Sequence, residues 1–337
     1  MSDGIRAVLP GVYASSRAAA LAEVVDLVVF DVDGVLVDVS QSFPVMICEV
    51  VAQYLRERGF SGSGPAMTPE ETRWFKTAGG FNSDWILAEA AVLYFLVKAE
   101  RSGHRTWDVL SGEAPRLRDV LRDVSRLGGG LAGLRRTLLQ SLSREEAARV
   151  DASLDRARIE RLAQEFYAGP QSPAVYGITP ETYTGPALMA SERPLVAPSD
   201  LPPDLHYGLY TGRTAGETAA ALALTGLAPR LAAAAVVNAD SGISKPDPAG
   251  LMRAAQASRP RVMLYVGDNL DDWDTAARYE TERGPTDPPC LFAGILAGAL
   301  GPASWELFEA RGAEVLADSV PNLLRWLATR QAMAAQV

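Results

Sequence analysis

A chain of 337 residues is long for one domain, so two are expected. Its formal net charge of -9 argues against a nucleic-acid partner, and 48% hydrophobic with 7% aromatic residues is the composition of an ordinary globular protein. No apolar run is long enough to cross a bilayer, and residues 1–20 lack the pattern of a secretory signal. The two cysteines, Cys48 and Cys290, stand in no metal-type spacing. Two isolated thiols fit a reducing compartment, and a cytoplasmic location is expected.

Residues 1–20 carry little pattern. Leu27–Phe30 is a short β-branched and aromatic run that reads as a buried parallel strand ending at Asp31. Apolar spacing then predicts a helix from about Ser40–Ser42 to Arg58, closed by Gly59, Gly62 and Gly64. Helical spacing continues over Glu70–Phe75, Trp85–Lys98, Pro115–Leu127, Leu131–Leu142 and Arg144–Tyr167, with Gly128-Gly129-Gly130 as a separator. Residues 169–205 are proline-rich and read as an irregular return. Strands resume at Tyr207–Tyr210, Ala234–Asn238, Val262–Val266, Cys290–Leu296 and Ala313–Leu316, with helices at 214–225, 247–256 and 272–280. Such alternation predicts an α/β fold, a doubly wound parallel sheet, with a helical domain inserted after the first strand. The expected division is 1–40 with 206–337 as the core and 41–205 as the insertion. The alanine-rich tail after Trp326 is expected to continue a surface helix.

Four motifs fall at predicted strand ends, where open α/β sheets bind ligands. Asp31 and Asp33 are two apart, so strand geometry sends both side chains the same way, and Gly34 permits a sharp turn. One carboxylate can attack phosphorus while the other serves as acid and then base. Thr211, followed by Gly212, can hold phosphate oxygens at a helix N-terminus; the alternative is that Thr211 or Thr214 only caps the helix. Lys245 is one of three lysines, with Lys76 and Lys98, and its neighbour Pro246 suits a first helical turn. Its ammonium can offset charge that develops in transfer. Asp268, Asp271, Asp272 and Asp274 form an acid cluster after an apolar strand. Magnesium takes hard oxygen ligands. Asp31, Asp268 and the backbone carbonyl of Asp33 would supply them, with Asp272 either a further ligand through water or an orienter of Lys245. Dipole complementation accounts for Asp274.

The series Asp31-Val32-Asp33-Gly34-Val35-Leu36-Val37-Asp38, Thr211-Gly212-Arg213, Lys245-Pro246-Asp247-Pro248 and Gly267-Asp268…Asp272 resembles the motif set of the haloacid dehalogenase superfamily. The insertion resembles the helical cap of its subfamily I, the phosphoglycolate phosphatase-like branch. The resemblance implies a magnesium-dependent phosphatase of a small phosphorylated metabolite, with a phosphomutase as the alternative and a non-catalytic binding protein as a remoter one. It implies Asp31 as nucleophile forming an aspartyl-phosphate and Asp33 as acid/base. It implies Gly34, Thr211, Gly212 and Lys245 around the phosphate, and Asp31, Asp33 and Asp268 with Asp272 around Mg2+. An acid at Asp33 points to phosphate esters rather than haloacids. In the cap, Gly79-Gly80-Phe81-Asn82-Ser83-Asp84-Trp85 resembles a substrate-contacting loop, and Arg73, Lys76, Asn82 and Asp84 are its candidate contacts. The other reading of that segment is a helix start capped by Asn82 or Asp84, with Trp85 in the core.

Overall fold

Eight strands form one sheet in the computed structural model, which describes residues 4–81 and 83–336. In chain order the strands are β1 (Arg6–Leu9), β2 (Val12–Ala14), β3 (Leu27–Phe30), β4 (Val37–Asp38), β5 (Arg193–Pro194), β6 (His206–Tyr210), β7 (Val236–Val237), β8 (Met263–Gly267), β9 (Cys290–Ile295) and β10 (Val315–Ala317). Across the main sheet they run β1-β2-β10-β9-β8-β3-β6-β7. From β10 to β7 every neighbouring pair is parallel. The strands β3 and β8 are buried along their whole lengths, as expected of strands covered on both faces. Helices Ala215–Thr225, Ala249–Ser258, Leu270–Glu282 and Val320–Ala334 connect or cover them.

The chain divides into two units, residues 1–38 with 193–337 and residues 39–192. The return point differs from the boundary expected at 205. Arg193–Pro194 pairs antiparallel with Val37–Asp38, and Leu195 N–H donates to Leu36 C=O, which ties 193–205 to the sheet unit.

The 39–192 unit is helical and has its own apolar core. Phe43, Met46, Tyr54 and Leu55 of the first helix (Phe43–Glu57) share it with Leu87, Leu93 and Phe95 of the central helix (Asp84–Ser102) and Leu162 and Tyr167 of the last long helix (Arg156–Ala168). The helix expected over Arg144–Tyr167 is two helices, Arg144–Ser153 and Arg156–Ala168. Asp155 begins the second by accepting from Arg158 N–H, a side-chain cap that apolar periodicity does not register. Residues 1–20 are also more ordered than their pattern implies. Pro10-Gly11, with Gly11 at φ +73°, turns β1 back onto β2, and β2 then pairs antiparallel with β10.

Candidate active site

Strand burial sets the positions. β3 is fixed between β6 and β8, and β8 between β3 and β9, so the residues that follow them leave the sheet side by side. Asp31 follows β3, Thr211 follows β6 and Asp268 follows β8. Their registers align: Phe30 is level with Leu209 and Val266.

Lys245 lies in the turn before helix Ala249–Ser258 and not in the helix's first turn, because the helix starts three residues after Pro246. Its ammonium is 2.7 Å from Asp31 Oδ1 and 2.7 Å from Asp272 Oδ1. The rings of Tyr210 and Tyr265 lie 5.7 Å from it. Burial opposes the charge on Lys245, but Asp272 and Asp31 outweigh it and hold the amine protonated beyond its ordinary range.

Asp272 is the third residue of helix Leu270–Glu282, which Asn269 caps. Its Oδ1 accepts from Lys245 Nζ and from the Tyr265 hydroxyl at 2.6 Å. Its Oδ2 accepts from the N–H groups of Asp268 (3.1 Å) and Asn269 (3.2 Å). Four donors match the four acceptor positions of a carboxylate. Of the two roles open to Asp272, orienting Lys245 is the one these bonds fit.

Asp268 Oδ2 accepts from Ala299 N–H at 2.6 Å, a contact from the loop after β9. Two glycines make room for this carboxylate. A Cβ on Gly34 would lie 1.9 Å from Asp268 Oδ2, and one on Gly298 would lie 2.2 Å from it. Gly34 also has φ +71°, so glycine is required there on two counts.

Carboxylate oxygens of Asp31, Asp268 and Asp272 lie within 4.8 Å of one another, and all three residues are buried. Burial raises the Asp31 carboxyl to about 7; Lys245 opposes the rise, while Asp272 and Asp33 add to it. Burial, with Asp272 and Asp31, raises Asp268 well above the usual carboxylate range. One ammonium among three buried acids leaves negative charge uncompensated. A divalent cation fits such a donor set.

Asp33 stands apart from that cluster. Its Oδ1 accepts from Arg213 Nε at 2.7 Å and pairs with Arg213 Nη2 at 2.6 Å. Thr211 is buried, and its hydroxyl oxygen accepts from Arg213 N–H at 3.2 Å. Helix Ala215–Thr225 is capped by Thr214 in a capping box with Glu217, so Thr211 is not the cap. Gly212 is exposed at the turn between them.

The candidate residues of the helical unit divide. Lys76 and Asp84 form an ion pair at 2.9 Å. Arg73 is exposed and pairs with Glu70 one turn earlier in its helix. Asn82 lies outside the described residues. The helix Asp84–Ser102 is capped by Ser83, which accepts from Ile86 N–H, rather than by Asn82 or Asp84; Trp85 is half-buried against the helical core. The sequence reading gave no role to Arg213, Tyr210, Tyr265 or the Gly298–Ala299 loop. Arg213 stood inside a quoted motif, and its position next to the Thr211-Gly212 turn was the available signal.

No protein-family model and no curated protein matches the chain. Solved structures do. A phosphatase from Thermococcus thioreducens is 22% identical with TM-score 0.53, covering 85% of this chain and 100% of that one. A structural-genomics target is 16% identical with TM-score 0.56, covering 88% and 97%. A hydrolase of family IA of the haloacid dehalogenase group from Entamoeba histolytica, 11% identical with TM-score 0.44, covers 90% and 99%. The fold is thus one shared with the Thermococcus phosphatase: an α/β sheet with a helical insertion between β4 and β5.

Proposed function

We propose that the protein is a metal-dependent phosphatase of a small phosphorylated metabolite. The observation that carries this reading is the cluster of Asp31, Lys245, Asp268 and Asp272 at the ends of adjacent parallel strands. Asp31 is the nucleophile: its attack on phosphorus forms an aspartyl-phosphate and breaks the bond to the leaving oxygen. Asp33 gives a proton to that oxygen, then takes one from the water that hydrolyses the acyl phosphate. Lys245, fixed by Asp272 and Tyr265, neutralises charge on Asp31 and on the transferring group. The Thr211 hydroxyl and the Gly34 and Gly212 turns border the phosphate position. Asp31 and Asp268 would hold Mg2+, which when bound offsets phosphate and carboxylate charge together. The Asp33 backbone carbonyl completes that set, since its carboxylate is engaged by Arg213.

A panel of phosphorylated metabolites, assayed for phosphate release with magnesium and with EDTA, tests the reading. Magnesium-dependent release without a bisphosphate activator supports a phosphatase. Isomerisation that requires the bisphosphate would instead make the protein a phosphomutase, and no turnover of any member would refute both.

A further inference from the structure

Arg213 has almost no exposure, at 2%, yet it reaches a group 180 residues away in sequence that faces the solvent side of the site. Its backbone is pinned on both sides: its N–H donates to Thr211 Oγ1, and its C=O accepts from Ala239 N–H. Its side chain also donates to the Glu217 carbonyl, inside helix Ala215–Thr225, at 3.4 Å. The guanidinium is therefore an anchored group. It grips Asp33 by one oxygen only: Nε and Nη2 both converge on Oδ1. Oδ2 accepts from no described residue, and the Asp33 side chain is 29% exposed. An unheld carboxylate at the tip of a loop would rotate freely about χ2, which has a broad, soft profile. Here one oxygen is fixed and the other is left to solvent.

We propose that Arg213 is a positioning residue that clamps Oδ1 of Asp33 so that Oδ2 is presented for proton transfer. This rests on the phosphatase reading above and deepens it. Arginine suits the task because its planar fork holds a carboxylate in orientation as well as by charge, which a lysine ammonium does not. A general acid/base misdirected by about an ångström loses on the order of 10²-fold in rate. Arg213→Met should lower kcat by about 10–10²-fold with KM changed less than about threefold. Arg213→Lys should recover only part of the loss, since it restores the charge without the fork.

A double-mutant cycle separates this role from a structural one. If Arg213 acts through Asp33, Arg213→Met should cost almost nothing in an Asp33→Asn background, where no proton transfer is left to orient. A fully additive loss in the double variant would overturn the proposal. So would an Arg213→Met loss that tracks the folded fraction in urea titrations. If parent protein releases no phosphate from any substrate, the phosphatase reading has failed instead, and the cycle cannot be mistaken for that outcome because it requires an active parent.

Discussion

At the residue scale, the site places groups that do different jobs in different dielectric surroundings. Asp31 is buried against Lys245 and two other acids, while Asp33 sits at the edge with an arginine on one oxygen. Asp31→Asn should lower turnover by at least about 10³-fold, because an amide cannot form the acyl phosphate. The same change should leave the protein folded and favour the metal-free form at high pH. The parent carboxyl is raised to about 7, so ionising it costs folding free energy that asparagine does not incur. Measured rates and urea midpoints at pH 8 check both halves; a variant that keeps more than a few percent of the rate removes Asp31 from the nucleophile role. Asp33→Asn should slow formation and breakdown of the phospho-enzyme by about 10²–10⁴-fold each. With an aryl phosphate, whose leaving group needs little protonation, breakdown should suffer more. Phospho-enzyme should then accumulate, seen as added mass on the intact protein.

At the element scale, much of the site was legible because buried parallel strands are short apolar runs whose ends are marked. Leu27–Phe30 and Val262–Val266 announced themselves, and the chemistry sat one or two residues further on, at Asp31 and Asp268. Contacts between turns were not legible. That Gly34, Gly298 and Ala299 close around Asp268 follows from a loop after β9 and a turn after β3 meeting in space, and nothing local in either segment encodes the meeting. The N-terminal hairpin was hidden for a different reason: strands of four and three residues are too short for alternation to show. Gly34→Ala tests the packing of these turns. The left-handed conformation alone costs about 1–2 kcal/mol for a residue with a Cβ. Gly59 supplies the control, since it has φ +79° with nothing within 4 Å of an added Cβ. Gly59→Ala should therefore lose stability only. Gly34→Ala should lose stability and also need a higher magnesium concentration for half-maximal rate, because its methyl displaces the Asp268 carboxylate. Equal magnesium dependence in both variants would show that Asp268 is free to move without consequence.

At the scale of the whole molecule, an acidic chain that handles a phosphate substrate, as proposed above, has to concentrate positive charge where the phosphate would bind. The net charge is -9, and at the strand ends one lysine stands among three buried acids, Asp31, Asp268 and Asp272. A divalent cation would resolve that imbalance, and the buried acids couple stability to pH. Asp31 is raised to about 7 from an ordinary 3.8, and Asp268 is raised in the same direction. Between those values the folded metal-free protein binds a proton at Asp31 that the unfolded chain has released. Stability then falls as pH rises through that window, the opposite of the usual carboxylate case. Below about pH 4 both states are protonated and this contribution is flat; above about pH 7 both have lost the proton and the penalty is fully expressed. A bound cation needs the ionised carboxylates, so it competes with the same protons. Its affinity should rise as pH rises from about 4 through about 7, and Asp268, raised in the same direction, extends that rise. Thermal unfolding with EDTA and with magnesium, across pH 4 to 9, reads both effects. The gap between the two melting temperatures should widen from pH 4 to about 7. A gap that is constant across the whole range would mean that these carboxylates are ionised in the metal-free fold at every pH measured, and no gap at any pH would mean that the cation does not bind through them.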